Sequence, residues 1–111
     1  MTQAFIVDAL RTPVGRRNGA LADIHSADLA AAPLSTMFDR VGVDTEEYDE
    51  IILGCIDQIG PQAFDIARTA WLAAGGSEAV PGTTIDRQCG SGQQAIHYAA
   101  QAVMSGTSDL I

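Results

Sequence analysis

Hydrophobic and polar positions along this chain switch between two periods. Short apolar runs bounded by polar or turn residues occur at Ala4–Ala9 (AFIVDA), Glu50–Ile56 (EIILGCI) and Gly82–Asp86 (GTTID). Runs of that length read as buried strands. Between them the period lengthens. Ser26 to Val41 predicts a helix, with Ser26 a good N-cap and Gly42 at the C′ position. Pro33 falls inside it and is expected to bend it, because proline lacks the N–H and crowds the preceding turn. Ile66, Ala67, Ala70, Trp71 and Ala74 share one helical face, and Gly75-Gly76 ends that helix. A third helix is predicted from about Cys89 to Ser105, and Asp109-Leu110-Ile111 begins a fourth strand. Leu10–Ala20 carries Pro13, Gly15, Asn18 and Gly19 with three arginines and reads as a solvated basic loop; Asp44–Asp49 reads as an acidic turn. Strands alternating with helices imply a layered α/β fold with parallel strands and right-handed crossovers.

The third helix differs from the first two in being apolar on nearly every side. No charged residue lies between Arg87 and Asp109. A membrane span is excluded by Gln88, Gln93, Gln94, His97 and Gln101 and by the interspersed serines and glycines. A helix of this kind needs protein on both faces, more than 111 residues in one layer pair can supply, so further protein is expected to cover it. The net charge is −8, with six arginines and no lysine. That balance argues against nucleic acid or an anionic membrane as the main partner. The opening residues MTQAFIVDALRTP have neither a basic nor an apolar region of a secretory signal. The two cysteines are far apart, which suggests reduced thiols in a cytoplasm. CxxC and CxxH spacings are missing, so no metal site is expected.

Cys89 lies between a predicted strand end and a predicted helix start. Free backbone N–H groups and the positive end of the helix dipole favour an anion there, and the thiolate is the attacking form of cysteine. Gly90 and Gly92 leave room for a substrate carbonyl to approach the backbone, and the N–H of Cys89 itself can face a developing oxyanion. The residues alone leave two readings open: an activated nucleophile, or a buried cysteine at a tight turn. Ser91 is expected to support the turn rather than perform chemistry. A GxSxG elbow needs glycine where Cys89 stands, and a Walker loop needs a lysine. His97 lies about two turns along the same helix and cannot readily reach the thiol; it reads as a packing residue. His25 has no assignable role, and Cys55 is expected to be an inert core residue on the second strand.

Four stretches resemble the amino-terminal part of a thiolase, in the family's order: AFIVDALRTPVGRRNGAL at Ala4–Leu21, EIILGCIDQIG at Glu50–Gly60, ARTAWLAAG at Ala67–Gly75 and TTIDRQCGSGQQAI at Thr83–Ile96. Arg-Thr-Pro-x-Gly soon after a first strand is moderately specific; Cys-Gly-Ser-Gly-Gln-Gln is highly specific, and ketoacyl synthases of the same fold usually have Ser-rich residues after the cysteine. The resemblance implies a thiolase-like α/β/α fold of which residues 1–111 form only the first part of the N-terminal half. It implies that Cys89 takes an acyl group from a CoA thioester, in thiolytic cleavage of a 3-ketoacyl-CoA or in the reverse condensation of acetyl-CoA. Coenzyme A and acyl-CoA are then substrates, with no permanently bound cofactor and no metal. A homodimer or homotetramer is implied, with Gly82–Asp86 pairing with its twin across a two-fold axis. The motif is most similar to those of the degradative, lipid or steroid branch.

The family's catalytic Gly-His-Pro and Cys-x-Gly motifs, its Asn-Glu-Ala-Phe segment, its CoA-binding loop domain and its second α/β half are not found in these 111 residues. The 111 residues alone are therefore expected to be inactive. The alternatives are a non-catalytic α/β binding or assembly module that keeps the fold, and a thiol-based redox protein, which would need a resolving cysteine near Cys89.

Overall fold

The computed structural model describes residues 3–111. Its elements follow in the order α1 (Ser26–Val41), β1 (Ile51–Gly54), α2 (Ile66–Ala73), β2 (Gly82–Ile85) and α3 (Ser91–Ser105), with short 3-10 turns at Thr45–Glu47 and Gly60–Gln62. β1 and β2 pair in parallel, Ile51 opposite Gly82 and Gly54 opposite Ile85. A parallel pair needs a crossover, and α2 with its flanking loops provides it. Side chains alternate across a strand. Ile51 and Leu53 therefore point together into a core built with Ala67, Trp71 and Val80 and flanked by Leu34, Phe38 and Tyr48. Gly54 turns the other way and abuts α3. Helices α1 and α2 thus cover one face of the pair and α3 the other, which is the expected α/β/α layering.

Trp71 organises the α1/α2 side. Its ring meets Phe38 edge-on at a centroid distance of 4.9 Å and Tyr48 at 5.3 Å. Its indole N–H, which a buried tryptophan must satisfy, donates to Ser77 O at 2.9 Å.

Helix ends match the expected punctuation with two differences. His25, not Ser26, is the N-cap of α1, its ring Nδ1 accepting from Ala27 N–H at 3.1 Å; the histidine without a sequence role is a cap. Gly42 closes the same helix in the left-handed conformation at φ 68°, its N–H bonded to Phe38 O, and α1 runs through Pro33 without interruption. Helix α3 begins at Ser91, two residues later than predicted, with Gly90 as a cap that offers no side chain.

The chain's two outer segments depart from the predicted strands. Ala4–Ala9 forms no ladder, and Phe5, Ile6 and Val7 are 77, 78 and 70 % exposed. Asp109–Ile111 is likewise not a strand, although Asp49 N–H donates to Leu110 O and Asp49 Oδ2 accepts from Asp109 and Leu110 N–H at 2.6 and 3.1 Å. Those two donors hold the Asp49 carboxyl below the usual carboxylate range. A strand exists through its partner's hydrogen bonds. An apolar groove of about 560 Å³ adjoins both segments, lined among others by Phe5, Val7, Met37, Ile96, Val103 and Leu110. Apolar character was read correctly there, but pairing needs a neighbouring strand.

Helix α3 leaves several of its large apolar side chains uncovered. Only Ser91 and Ala95 are buried along it, while Ile96, Tyr98 and Met104 are exposed. No helix among the described residues is long and apolar enough to cross a membrane.

Candidate active site

The site begins where β2 ends. After Ile85 the chain makes one tight turn, Asp86–Gly90, and enters α3 at Ser91. Gln88 N–H donates to Asp86 Oδ1 at 2.9 Å, Gly90 N–H to Arg87 O at 3.0 Å and Ser91 N–H to Gln88 O at 3.1 Å. Gln88 sits in the left-handed region at φ 49°, which costs a non-glycine residue about 1–2 kcal/mol. Such strain persists only where the surroundings over-determine it, and it gathers at functional sites. The strained residue immediately precedes Cys89, whose side chain is exposed.

At the head of α3, the N–H groups of Gly92 and Gln93 donate to no protein acceptor among the described residues. The first N–H groups of any helix lack intrahelical partners and carry the positive end of its dipole. Here no side chain caps them. Sequence reasoning placed the thiol correctly at the strand–helix junction, and the structure puts it just ahead of the helix rather than on it.

Cys89 opens on a cavity of about 380 Å³ whose wall includes Gln88, Gly92, Cys55, Asp57 and Gln62. Gly92 lies on that wall with open space where a side chain would be, whereas Gly90 does not line it. The structure therefore brings Cys89 and Gly92 together and leaves Gly90 as a turn residue. The larger apolar groove near residues 3–8 contains neither cysteine.

Cys55 is placed differently from its expectation. It is half-buried, stands one residue beyond β1 and lines the same cavity as Cys89. Its N–H still donates to Ile85 O at 2.9 Å, extending the pairing by one bond before the chain turns away. The strand is shorter than its apolar run because the loop that follows ties to itself: Gln58 Nε2 donates to Cys55 O and Gln62 Nε2 to Asp57 O at 2.7 Å.

Asp57, Gln62 and Gln88 are wall residues that the sequence did not single out. Gln88 adjoins Cys89 in the chain, whereas no periodicity marks Asp57 and Gln62, because their approach to Cys89 follows from the parallel pairing of β1 with β2. His97 is exposed on α3 and lines neither cavity. Among the described residues no group of three or more His, Cys, Asp or Glu is arranged to hold a metal ion.

Comparison with known proteins agrees with this geometry. The family described as "Thiolase, N-terminal domain" matches residues 4–111. The chain is 57 % identical over 111 residues to the steroid 3-ketoacyl-CoA thiolase FadA6 of Mycobacterium tuberculosis, covering all of this chain and 27 % of that protein. It is 46 % identical over 112 residues to the 3-oxoadipyl-CoA/3-oxo-5,6-dehydrosuberyl-CoA thiolase of Escherichia coli, covering 28 % of it. The crystal structure of the Bacillus anthracis acetyl-CoA acetyltransferase superposes with a TM-score of 0.90 at 44 % identity, over 97 % of this chain and 27 % of that one. The chain thus spans little more than a quarter of the length of these relatives. With its α/β layering, its strand–turn–helix cysteine and a family match over nearly its whole length, the chain belongs to the thiolase family, within that family's N-terminal domain.

Proposed function

We propose that residues 1–111 are the nucleophile-bearing segment of an acyl-CoA thiolase, and that Cys89 carries the covalent acyl intermediate. The observation that carries this reading is the exposed thiol of Cys89, held by a strained turn at the uncapped start of α3 beside a cavity. In the cleavage direction the Cys89 thiolate attacks the keto carbon of a 3-ketoacyl-CoA. The bond between C2 and C3 then breaks, and the C2 carbanion leaves as acetyl-CoA after taking a proton. The thiolate of free CoA attacks the acyl-Cys89 thioester and expels the Cys89 thiolate, which restores the enzyme. Splitting the transfer through a thioester on the protein replaces one difficult step with two easier ones. The backbone N–H of Cys89 is the donor this segment offers to developing negative charge.

The acid and base that move the protons belong to parts of the family's architecture outside these residues. Each such step contributes on the order of 10²–10⁴ in rate, so the 111 residues alone turn over no 3-ketoacyl-CoA at a thiolase-like rate. The complete polypeptide is a cytoplasmic homodimer or homotetramer in which the outer edge of β2 pairs with its twin. Unpaired strand edges are otherwise prone to aggregation.

The test is to incubate the complete polypeptide with acetyl-CoA, quench it and map its peptides by mass spectrometry. An acetyl group on the peptide containing Cys89, removed again by free CoA, is the expected result. A folded protein that never acquires it would leave the non-catalytic module as the reading.

A further inference from the structure

We propose that Ser91 is a positioning residue, whose buried hydroxyl locks the turn ahead of α3 and holds Cys89 in the orientation that acylation requires. This rests on Cys89 being the acyl-accepting thiol.

Ser91 is only 4 % exposed, and it is the buried polar residue of the described core. A serine that caps a helix bonds forward, to N–H groups two or three residues ahead. Ser91 bonds backward. Its Oγ accepts from Arg87 N–H at 2.9 Å and donates to Gln88 O at 2.6 Å. Gln88 O also receives Ser91 N–H at 3.1 Å. One side chain therefore ties down both residues that precede the thiol and adds nothing to the helix ladder.

The second of those residues is the strained one. Gln88 keeps φ 49° although its own side chain makes no hydrogen bond among the described residues, and a left-handed glutamine relaxes unless it is held. Ser91 in turn has a rigid backing. A Cβ on Gly54 would lie 2.4 Å from the Ser91 carbonyl carbon and 2.3 Å from Gly92 N, so the end of β1 presses directly on the first turn of α3. Position is passed from β1 to Ser91, from Ser91 to Arg87 and Gln88, and from them to Cys89. Without the hydroxyl, Gln88 keeps only the bonds from its N–H to Asp86 and from Ser91 N–H to its carbonyl, Arg87 N–H loses its acceptor, and the aim of Cys89 is no longer held from α3.

The experiment measures single-turnover acetylation of Cys89 by acetyl-CoA in the complete polypeptide, across an acetyl-CoA concentration series, with urea unfolding alongside. Ser91→Ala is expected to slow the maximal acetylation rate roughly ten- to a hundredfold, as misplacing a reacting group by about an ångström does. Its half-saturating acetyl-CoA concentration is expected to stay within about twofold of the parent, because the loss lies in the orientation of the thiol and not in binding. Gln88→Gly, which reaches the left-handed region without strain but is not confined to it, is expected to show the same split with a smaller loss of rate. It keeps the inference testable should Ser91→Ala fail to fold. A folded Ser91→Ala or Gln88→Gly protein whose maximal acetylation rate matches the parent, or whose loss lies wholly in half-saturation, would overturn the positioning role. A parent that places no acetyl group on Cys89 would overturn the thiolase reading itself, which the variants alone cannot do.

Discussion

Each strand of the parallel pair is followed by a cysteine, and the two thiols end in different surroundings. Cys55 comes directly after β1, and the chain then runs through Ile56–Asp65 before α2 starts. Cys89 comes after β2 and only Gly90 separates it from α3. The helix starts differ as well. At α2, Asp65 Oδ1 accepts from Arg68 N–H at 3.3 Å and Thr84 Oγ1 accepts from Ala67 N–H at 3.0 Å, while the Thr84 hydroxyl donates back to Asp65. A carboxylate and a hydroxyl from within the chain thus occupy that helix start. At α3 no side chain does so. The field of a helix end fades within one turn, so a thiol profits from it only when the connection is short and the helix start is left open. Two cysteines on one cavity wall are therefore not chemically equivalent.

The largest effect expected from this contrast is on turnover. In the complete polypeptide, Cys89→Ser should lower acyl transfer by about 10³-fold or more, as loss of a nucleophile does, because a hydroxyl is far harder to ionise than a thiol. Cys55→Ala should keep turnover within about twofold of the parent, since a wall residue supplies no reacting atom. Steady-state rates of acetoacetyl-CoA thiolysis measure both, and comparable losses in the two variants would erase the distinction.

A second effect is on labelling. Iodoacetamide at neutral pH should modify Cys89 about tenfold faster than Cys55 or more, given an exposed thiol at an open helix start against a half-buried one beyond a strand. Prior incubation with an acyl-CoA should protect Cys89 and leave Cys55 unchanged. Peptide mapping over a time course reads both rates, and equal rates would mean that the helix start does not matter.

Gly54→Ala probes the contact behind the turn. The added methyl would overlap the Ser91–Gly92 backbone, which cannot yield as a flexible side chain does, and overpacking of this kind costs about 1–3 kcal/mol. Urea denaturation should show a loss in that range. An unchanged midpoint would mean that β1 does not brace α3.

The smallest effect concerns Asp49, at the other end of β1 from the cavity. Its carboxyl is held below the usual range by the N–H groups of Asp109 and Leu110. A depressed folded-state value means that its stabilisation is present above the unfolded value of about 4 and is lost as pH falls through the lower folded value. The group is fully exposed, so the effect is small. Asp49→Asn should lower Tm slightly at pH 7, and parent and variant should converge in acid below that window. A difference that persists there would assign the effect to packing instead.

Local rules made much of this molecule readable from its sequence. The helix periods, Gly42 and Gly75 at helix ends, and the strand–turn–helix around Cys89 depend on residues close together in the chain, and the Cys-Gly-Ser-Gly-Gln-Gln motif carried the family. Composition marked α3 as apolar on nearly every side, and Ile96, Tyr98 and Met104 are exposed along it. Other features belonged to tertiary structure. Whether Ala4–Ala9 is a strand depends on a neighbour to pair with, and apolarity alone cannot supply the hydrogen bonds. Cys55 left the predicted strand because the ladder ends at Gly54, and it reached the cavity because parallel pairing aligns the ends of β1 and β2. Gln88 is left-handed although its residue type does not favour that conformation; the hydrogen bonds of Ser91 and the pressure of Gly54 from a distant strand accompany it there. A sequence specifies which residues stand near the thiol along the chain, while the aim of that thiol is set by contacts between residues far apart in it, because only packing holds a strained backbone in place.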